Sequence, residues 1–313
     1  MLDNQLLGRA DVMATAKNEQ LVKELSEKLT AKIAEITVDD WRGMFANNLE
    51  MNIWKYSPRN QMILWAQGAT TVAGFRAWRK EGRKVRKGAK AVHILAPMVG
   101  KEKVEQENGT MVEEDRVFGF KTVPVFDIFA TERLDGVDDT EELRSEFSKG
   151  VRSIEHNHAS AVKSDLLVWL NSLGNVQVSF DYHELKGTEN GFHRENALTD
   201  SSLIVVDGRM SEGAQLRTLA HEIGHMLMHR GIKDYQNRRA LYELEAETFA
   251  YIALSMLGIE ADEFTEASAG YIASWQGENK EKEITEAFTR VSKNVYPMIE
   301  QITKKETTEK KVA

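Results

Sequence analysis

A short segment, His221-Glu222-Ile223-Gly224-His225, constrains this chain more than any other, because it has the form H-E-x-x-H within a predicted helix. Residues four apart on a helix lie one turn above each other, so both imidazoles can reach a single ion. Zinc requires ligand nitrogens at about 2.0–2.1 Å, and this spacing can supply two of them without backbone strain. Glu222 stands beside the pair, where it can accept a proton from a polarised water. The segment therefore predicts a zinc (Zn2+) hydrolase centre with Glu222 as the general base and then the general acid.

The rest of the sequence limits what such a centre can be made of. The chain contains no cysteine, so any metal ligands must be histidines and carboxylates. The alternative is a chance match on a surface helix with two solvated histidines. Apolar residues surround the motif, however, namely Leu219, Ala220, Ile223 and Leu227. Histidines among them would be partly buried, which is costly unless something satisfies their nitrogens, so a metal site is favoured.

A third ligand must come from another element. His229 is tempting, but at 1.5 Å of rise per residue it lies about 12 Å along the helix axis from His221. Glu243 lies on a second predicted helix, and an antiparallel helix after a short polar loop can bring its carboxylate to the ion. Glu245 on the same helix is the alternative ligand. Glu247, one turn beyond Glu243, could accept a hydrogen bond from the distal nitrogen of His221 and fix its tautomer.

These residues also carry a resemblance to a known family. The motif, followed by Glu-Leu-Glu-Ala-Glu-Thr-Phe-Ala starting at Glu243, resembles the ImmA/IrrE-type gluzincin metallopeptidases over roughly residues 161–257. In that family the first glutamate of the second segment is a metal ligand, which implies this role for Glu243. The family more often has aspartate where Glu247 stands here. We also expect the strand-like run 202–206 to be an edge strand that could hold a peptide substrate by β-augmentation.

The N-terminal half carries a cationic segment between Arg76 and Lys90, although the net charge of the chain is −8. Cations that follow a backbone, interleaved with aromatic platforms such as Trp65 and Trp78, are the pattern that single-stranded nucleic acid requires. The alternative is that both tryptophans belong to the core and that the cations form a solvated face. The candidate nucleic-acid-binding residues are Tyr56, Arg59, Asn60, Gln61, Arg76, Arg79, Lys80, Arg83, Lys84, Arg86, Lys87 and Lys90.

A second resemblance concerns this half. Residues 56–64, 69–79 and 82–97, ending in Val125-Phe-Asp127, resemble the N-terminal domain of ArdC-type antirestriction proteins over about residues 39–131. The resemblance implies binding of single-stranded DNA, a following zinc-peptidase-like domain, and a role in antirestriction when a mobile element enters a new host. Two other hypotheses stay open. The chain could bind DNA with a structural or inactive metal site, or it could be a peptidase that cleaves a regulatory partner protein without binding DNA.

The order of predicted elements indicates an α+β fold, with an N-terminal helical and β-hairpin domain followed by a zincin-like α+β metallopeptidase domain. The expected boundaries are residues 1–135 for the DNA-binding domain, 136–150 for an acidic linker, 151–302 for the metallopeptidase domain and 303–313 for a charged tail. The N-terminus has no secretory signal, and no apolar run is long enough to cross a bilayer. We therefore expect a cytoplasmic protein with no membrane partner, and the sequence favours no particular oligomeric state.

Local signals predict several element boundaries. Asn108-Gly109 predicts a hairpin turn between strands expected at 91–99 and 117–126. Ser57, followed by proline, and Ser211 have the form of helix N-caps. A short helix is expected over 71–80.

Overall fold

The computed structural model describes residues 2–49, 55–105, 110–137, 139, 142, 159–187, 189–259, 270, 272 and 280–309. The chain forms two compact units, the first made of Met1–Glu35 and Met51–Arg144 and the second of Ile36–Glu50 and Ser145–Ala313. Both units mix helices with strands, which confirms the predicted α+β class. The sequence pattern does not indicate that Ile36–Glu50 belongs with the second unit.

The described elements are numbered here in chain order. The helices are α1 (Leu2–Ala34), α2 (Val38–Leu49), α3 (Pro58–Ala66), α4 (Phe75–Lys80), α5 (Ala159–Ser172), α6 (Glu212–Met228), α7 (Arg239–Met256) and α8 (Lys280–Glu309). The strands are β1 (Val72–Ala73), β2 (Arg83–Val85), β3 (Val92–Glu105), β4 (Met111–Asp127), β5 (Thr131–Arg133), β6 (Val176–Ser179), β7 (Gly191–Asn196) and β8 (Ser201–Val206). Within the described parts of the chain, no helix has the length and apolarity that crossing a membrane would require.

The first unit contains a three-stranded antiparallel sheet in the order β1-β4-β3. The predicted hairpin strands are confirmed, but they are longer than expected, because residues 100–105 pair with 111–116. The predicted turn at Asn108-Gly109 lies outside the described residues. Residues 72–73 form β1 rather than the start of a helix, and α4 begins only after Gly74. A second pairing, β2 with β5, was not predicted.

Side-chain amides of α3 close the outer edge of β3. The Asn60 amide donates to the Leu95 carbonyl at 2.8 Å, and its oxygen accepts from the Leu95 N–H at 2.8 Å. Two turns later, the amide of Gln67 makes the same pair of bonds with His93, at 2.8 and 3.0 Å. These amides supply the bonds that another strand would make at His93 and Leu95, so this part of the β3 edge is protected from pairing with other chains. Ser57 caps α3 as predicted.

The two tryptophans considered as aromatic platforms, Trp65 and Trp78, are core residues. Trp65 is 7% exposed and Trp78 is 4% exposed, and the Trp78 indole N–H donates to the Phe126 carbonyl at 2.8 Å. The alternative that sequence analysis left open, a core role for both rings, is therefore correct. The half-buried Tyr56 ring packs against the same unit's apolar cluster of Leu64, Ala69, Val72, Ile94 and Val125.

Arg83 is also an internal residue of this unit. Its guanidinium forms two bonds with the Asp139 carboxylate, at 2.5 and 2.9 Å, and donates to the Thr131 hydroxyl at 2.7 Å. Arg83 is 9% exposed and Asp139 is 8% exposed. The pair therefore joins β2 to the chain that follows β5.

Replacement of Arg83 by methionine should lower the free energy of unfolding by about 3–5 kcal/mol, because it leaves the Asp139 carboxylate buried without its partner. Hydrogen bonds from Arg83 hold the pKa of Asp139 below its usual range, against the effect of burial. A lowered folded-state pKa gives stability that is present above the unfolded value of about 4 and is lost as the pH falls further. Urea unfolding between pH 7 and pH 3 should show the deficit of the variant shrinking with acid. A deficit that stays constant over this range would contradict the pairing.

The second unit contains a three-stranded sheet in the order β6-β8-β7. The prediction that residues 202–206 form an edge strand is wrong, because β8 pairs with β6 in parallel and with β7 in antiparallel orientation. Ile204, Val205 and Val206 are fully buried, and a continuous apolar run of this kind is typical of a strand covered on both sides. The edge strands of this sheet are β6 and β7, and the polar sequence of β7 gave no strand signal.

Two helices of the second unit approach closely where the predicted metal ligands lie. A Cβ atom at Gly224 on α6 would lie 3.2 Å from the Ala246 Cα on α7 and 3.2 Å from the Phe249 side chain. Glycine therefore permits this approach of the two backbones. Ser211 caps α6 as predicted. α2 packs on α7 through the Trp41 indole, which donates to the Thr248 hydroxyl at 2.9 Å.

Candidate metal centre

His221 and His225 on α6 and Glu243 on α7 converge on one point, as the sequence predicts. The two imidazole Nε2 atoms are 2.9 Å apart. The Glu243 Oε2 atom lies 3.4 Å from His221 Nε2 and 3.6 Å from His225 Nε2. A tetrahedron with ligand distances of about 2.0–2.1 Å has edges of about 3.3 Å, and the three separations bracket this value. Within the described parts of the chain, these residues form the one group with metal-ligand spacing. The donor set therefore fits a divalent ion.

The charge states of His225 and Glu243 suit metal binding, whereas at His221 a bound cation would have to displace a proton. Burial lowers the pKa of His225, which keeps the ring neutral at pH 7. At His221 burial also acts to lower the pKa, but the carboxylates of Glu243, Glu222 and Glu247 outweigh it and raise the pKa. Burial favours the neutral form of Glu243, but both imidazoles hold its pKa well below the usual range. An anionic carboxylate and a neutral imidazole are the forms that bind metal.

Glu222 lies beside the ligands and is 7% exposed. Burial raises the pKa of Glu222 to about 7. The negative charge of Glu243 also raises this pKa, whereas the positive charge of His221 lowers it. Its carboxylate also accepts a hydrogen bond from the His193 backbone N–H on β7. A cation bound by the three ligands would lower this pKa, since a nearby opposite charge favours the carboxylate.

The two other acids considered from the sequence, Glu245 and Glu247, take different places. Glu245, the alternative ligand, is fully buried and points away from Glu243 towards His229 and Arg290. Glu247 lines the same cavity as the ligands and lies close enough to raise the pKa of His221. Its predicted hydrogen bond to that ring stays a prediction.

Tyr235 lies in the loop between α6 and α7. Its hydroxyl is 3.3 Å from the Glu243 carboxylate and 3.4 Å from His225 Nδ1. Burial and the charge of Glu243 raise its pKa, so the hydroxyl keeps its proton.

A cavity of about 1260 Å³ opens over the ligands. β7 forms one wall of it with Gly191, Phe192 and His193. A Cβ atom at Gly191 would lie 2.6 Å from the Thr218 side chain on α6 and 2.7 Å from the Val205 carbonyl. Glycine is therefore required for the edge strand to lie this close to the metal ligands. Sequence analysis missed β7, and Gly191 within an otherwise polar run was the only local signal.

The twelve candidate nucleic-acid-binding residues divide into three groups. Tyr56, Asn60, Gln61 and Arg83 make contacts inside the first unit: the Tyr56 hydroxyl donates to the Val72 carbonyl at 3.4 Å, and the Gln61 amide donates to the Tyr56 carbonyl at 2.8 Å. The half-buried Lys84 pairs with Glu132 at 3.1 Å, and Arg86 is also half-buried. The exposed cations are Arg59, Arg76, Arg79, Lys80, Lys87 and Lys90.

Taken together, the His-Glu-x-x-His helix, the carboxylate of the following helix and the bordering edge strand give the second unit a candidate metal site beside a cavity. Comparison with known proteins supports both halves. Residues 175–289 match the model of a peptidase family described as the IrrE N-terminal-like domain. Residues 18–126 match the model described as the N-terminal domain of anti-restriction factor ArdC. The chain therefore joins an ArdC-type N-terminal domain to an IrrE-like peptidase-family domain.

Individual relatives are distant. An uncharacterized protein of Bacillus anthracis is 23% identical over 321 residues, which cover 93% of this chain and 53% of the relative, so the chain spans about half the length of that protein. A metal-free crystal structure of the antirestriction ArdC protein from plasmid R388 is 18% identical, with a TM-score of 0.44, and covers 79% of this chain and 85% of its own. The Mn(II)-bound structure of the same ArdC protein is 17% identical, with a TM-score of 0.46, and the match covers 90% of this chain and 97% of the ArdC chain.

Proposed function

We propose that this protein is a single-stranded-DNA-binding zinc metallopeptidase that protects the DNA of a mobile element from restriction in a new host. The observation that carries the proposal is the convergence of His221, His225 and Glu243 beside the buried Glu222, at the base of a cavity bordered by an edge strand. The three ligands would hold the zinc ion. When bound, zinc supplies Lewis acidity that polarises a carbonyl and lowers the pKa of water.

The chain's own residues suffice for the proton transfers of peptide hydrolysis. Glu222 accepts a proton from the attacking water as its oxygen bonds to the scissile carbonyl carbon. Glu222 then gives this proton to the amide nitrogen as the C–N bond breaks, so the products are a carboxylic acid and an amine. The Tyr235 hydroxyl lies beside Glu243, where it can donate to the oxyanion of the tetrahedral intermediate. β7 can hold the extended substrate through backbone hydrogen bonds.

The proposed substrate is a partner protein met during entry of the mobile element, rather than peptides in general. A test is the yield of transformants in recipient strains that have or lack a restriction system, with the full chain expressed in the recipient. Wild type should raise the yield only in the restricting strain, and Glu222→Gln should abolish that gain. Full protection by Glu222→Gln would instead favour the hypothesis of a DNA-binding protein whose metal site is structural.

For the N-terminal half, we propose that the exposed cations on and around α4 bind the phosphates of single-stranded DNA. Each neutralised phosphate of a single strand contributes about −0.7 to the slope of log binding constant against log salt concentration. Replacing Lys87 and Lys90 by serine should therefore reduce the magnitude of the slope by up to about 1.4 for two lost phosphate contacts. Fluorescence anisotropy of a labelled oligothymidine between 50 and 200 mM salt, a range in which phosphate-contacting proteins lose much of their affinity, measures this slope.

The matched control replaces Lys101 and Lys103 by serine. Both lysines are also exposed, but they lie in the second half of β3. This double variant removes the same charge from the same unit and should keep the wild-type slope. If both double variants change the slope equally, the effect is one of net charge and the proposed DNA-binding surface is wrong. Unchanged slopes in both would favour a peptidase that does not bind DNA through these lysines.

A further inference from the structure

A chain of hydrogen bonds runs from the candidate ligand His225 into the interior of the second unit. His225 Nδ1 lies 2.9 Å from His229 Nδ1, and His229 Nε2 lies 2.8 Å from the Glu245 carboxylate. Arg290 on α8 contacts both oxygens of that carboxylate, at 2.6 and 2.7 Å. This series of hydrogen bonds therefore links α6, α7 and α8. Neither His229 nor Glu245 belongs to the candidate ligand group.

The proton positions along this series of hydrogen bonds follow from the groups at its two ends, His225 Nε2 at the candidate metal site and the Glu245 carboxylate beside Arg290. His225 Nε2 faces His221 and Glu243, so it must keep its lone pair free to bind an ion, and the proton of the neutral ring lies on Nδ1. That N–H donates to His229 Nδ1, which places the proton of His229 on its Nε2. This second N–H donates to Glu245, whose charge is balanced by Arg290. Every donor then meets an acceptor, and the direction of each bond is determined.

The neighbouring Tyr235 does not replace this arrangement. Its hydroxyl oxygen is 3.4 Å from His225 Nδ1, which is longer than the bond to His229, and its proton is directed to Glu243 at 3.3 Å. The tyrosine oxygen is therefore at most a weaker second acceptor for the same N–H.

The network lies in the interior of the second unit rather than on its surface. The side chain of His229 is 2% exposed and that of Glu245 is 0% exposed. A buried charged pair is often no more stabilising than apolar residues of similar volume, so packing alone gives little reason for these two residues. Metal-binding histidines, in contrast, typically donate their second N–H to a fixed acceptor that sets the tautomer and the ring orientation.

We infer that His229, Glu245 and Arg290 are positioning residues, which hold His225 in the tautomer and orientation that present Nε2 to the metal ion. The inference rests on the metal site of the proposed function. It assigns no ligand role to His229: the residue acts on the ion only through His225. Loss of the acceptor at His229 should weaken zinc binding without removing a ligand, by about 10–100-fold.

The test compares His229→Leu with His229→Asn in the full chain, by zinc titration in competition with a chromophoric chelator. Leucine fills the site without an acceptor, whereas the asparagine side-chain oxygen can take the place of Nδ1. We expect zinc to bind about 10–100-fold more weakly to His229→Leu, and binding to His229→Asn to recover most of that loss. Equal affinity of wild type and His229→Leu would overturn the inference and leave the metal site standing. Wild type that binds no zinc would overturn both.

A further measurement separates positioning from a merely structural role. If the network were merely structural, His229→Leu would lower the unfolding midpoint equally in chelator and in zinc. The rise in midpoint that zinc causes would then be the same in the variant and in wild type. Positioning predicts a smaller gain from zinc, because stabilisation by a ligand depends on its affinity. Glu245→Gln keeps the volume of the side chain and gives the same comparison if His229→Leu does not fold. A wild-type gain in Glu245→Gln would count against the network.

Discussion

Replacement of Glu222 by glutamine is expected to slow peptide hydrolysis by about 10²–10⁴-fold, the usual contribution of general acid–base catalysis, while zinc content stays at the wild-type level. The amide has the size of the carboxylate but cannot accept the proton of the attacking water. Glu222 is buried beside the three ligands and is not itself within the ligand group. The rate is measured on the protein whose cleavage depends on the wild-type chain, identified by comparing protein N-termini in cells that express wild type or Glu222→Gln.

Glu212→Gln is the matched control, because Glu212 is exposed in the first turn of the same helix. It should cleave at the wild-type rate. If Glu222→Gln retained full cleavage with zinc bound, Glu222 would not be the base. If it lost zinc as well, the effect on rate would reflect damage to the metal site rather than to proton transfer.

Zinc is expected to raise the unfolding midpoint of the chain by about 8–16 °C when free zinc is held at a thousand times its Kd. A ligand at that ratio stabilises the folded state by about 4.1 kcal/mol. Each kcal/mol corresponds to about 2–4 °C for a unit of this size. Calorimetry in buffered zinc and in chelator measures the difference, and His221→Ala should remove it almost completely.

The control for this prediction is His183→Ala, which removes an exposed histidine from the same unit. It should keep the wild-type response to zinc. A zinc response that survives in His221→Ala but is lost in His183→Ala would place the ion elsewhere. No response in wild type would mean that the convergence of the three residues does not serve metal binding.

The convergence of the two candidate histidine ligands could be predicted from sequence because their geometry is local. A spacing of four within one helix fixes the relation between His221 and His225 whatever the rest of the chain does. The third ligand depends on how α7 packs against α6, and spacing alone left Glu243 and Glu245 both open. The structure separates them, since residues two apart on a helix face different sides. The network of His229 with Glu245 and Arg290 joins three helices and has no local signal.

In the N-terminal half, composition identified a cationic segment but not which polar side chains face solvent. Asn60 and Arg83 have sequence neighbours typical of a surface, yet both are buried. Their partners lie 35 and 56 residues away, at Leu95 and Asp139, so only tertiary structure reveals the pairing. β7 was missed for a similar reason: its polar residues lack the alternation that marks a half-buried strand.

The central claim is that one divalent ion is held by His221, His225 and Glu243, and the metal content of the purified chain tests it most directly. After equilibration with zinc and removal of excess, mass spectrometry of the elements should find one zinc per wild-type chain. Glu243→Ala should retain almost none, whereas Glu245→Gln should still load to one ion at saturating zinc. A full zinc content in Glu243→Ala, or none in wild type, would contradict the account.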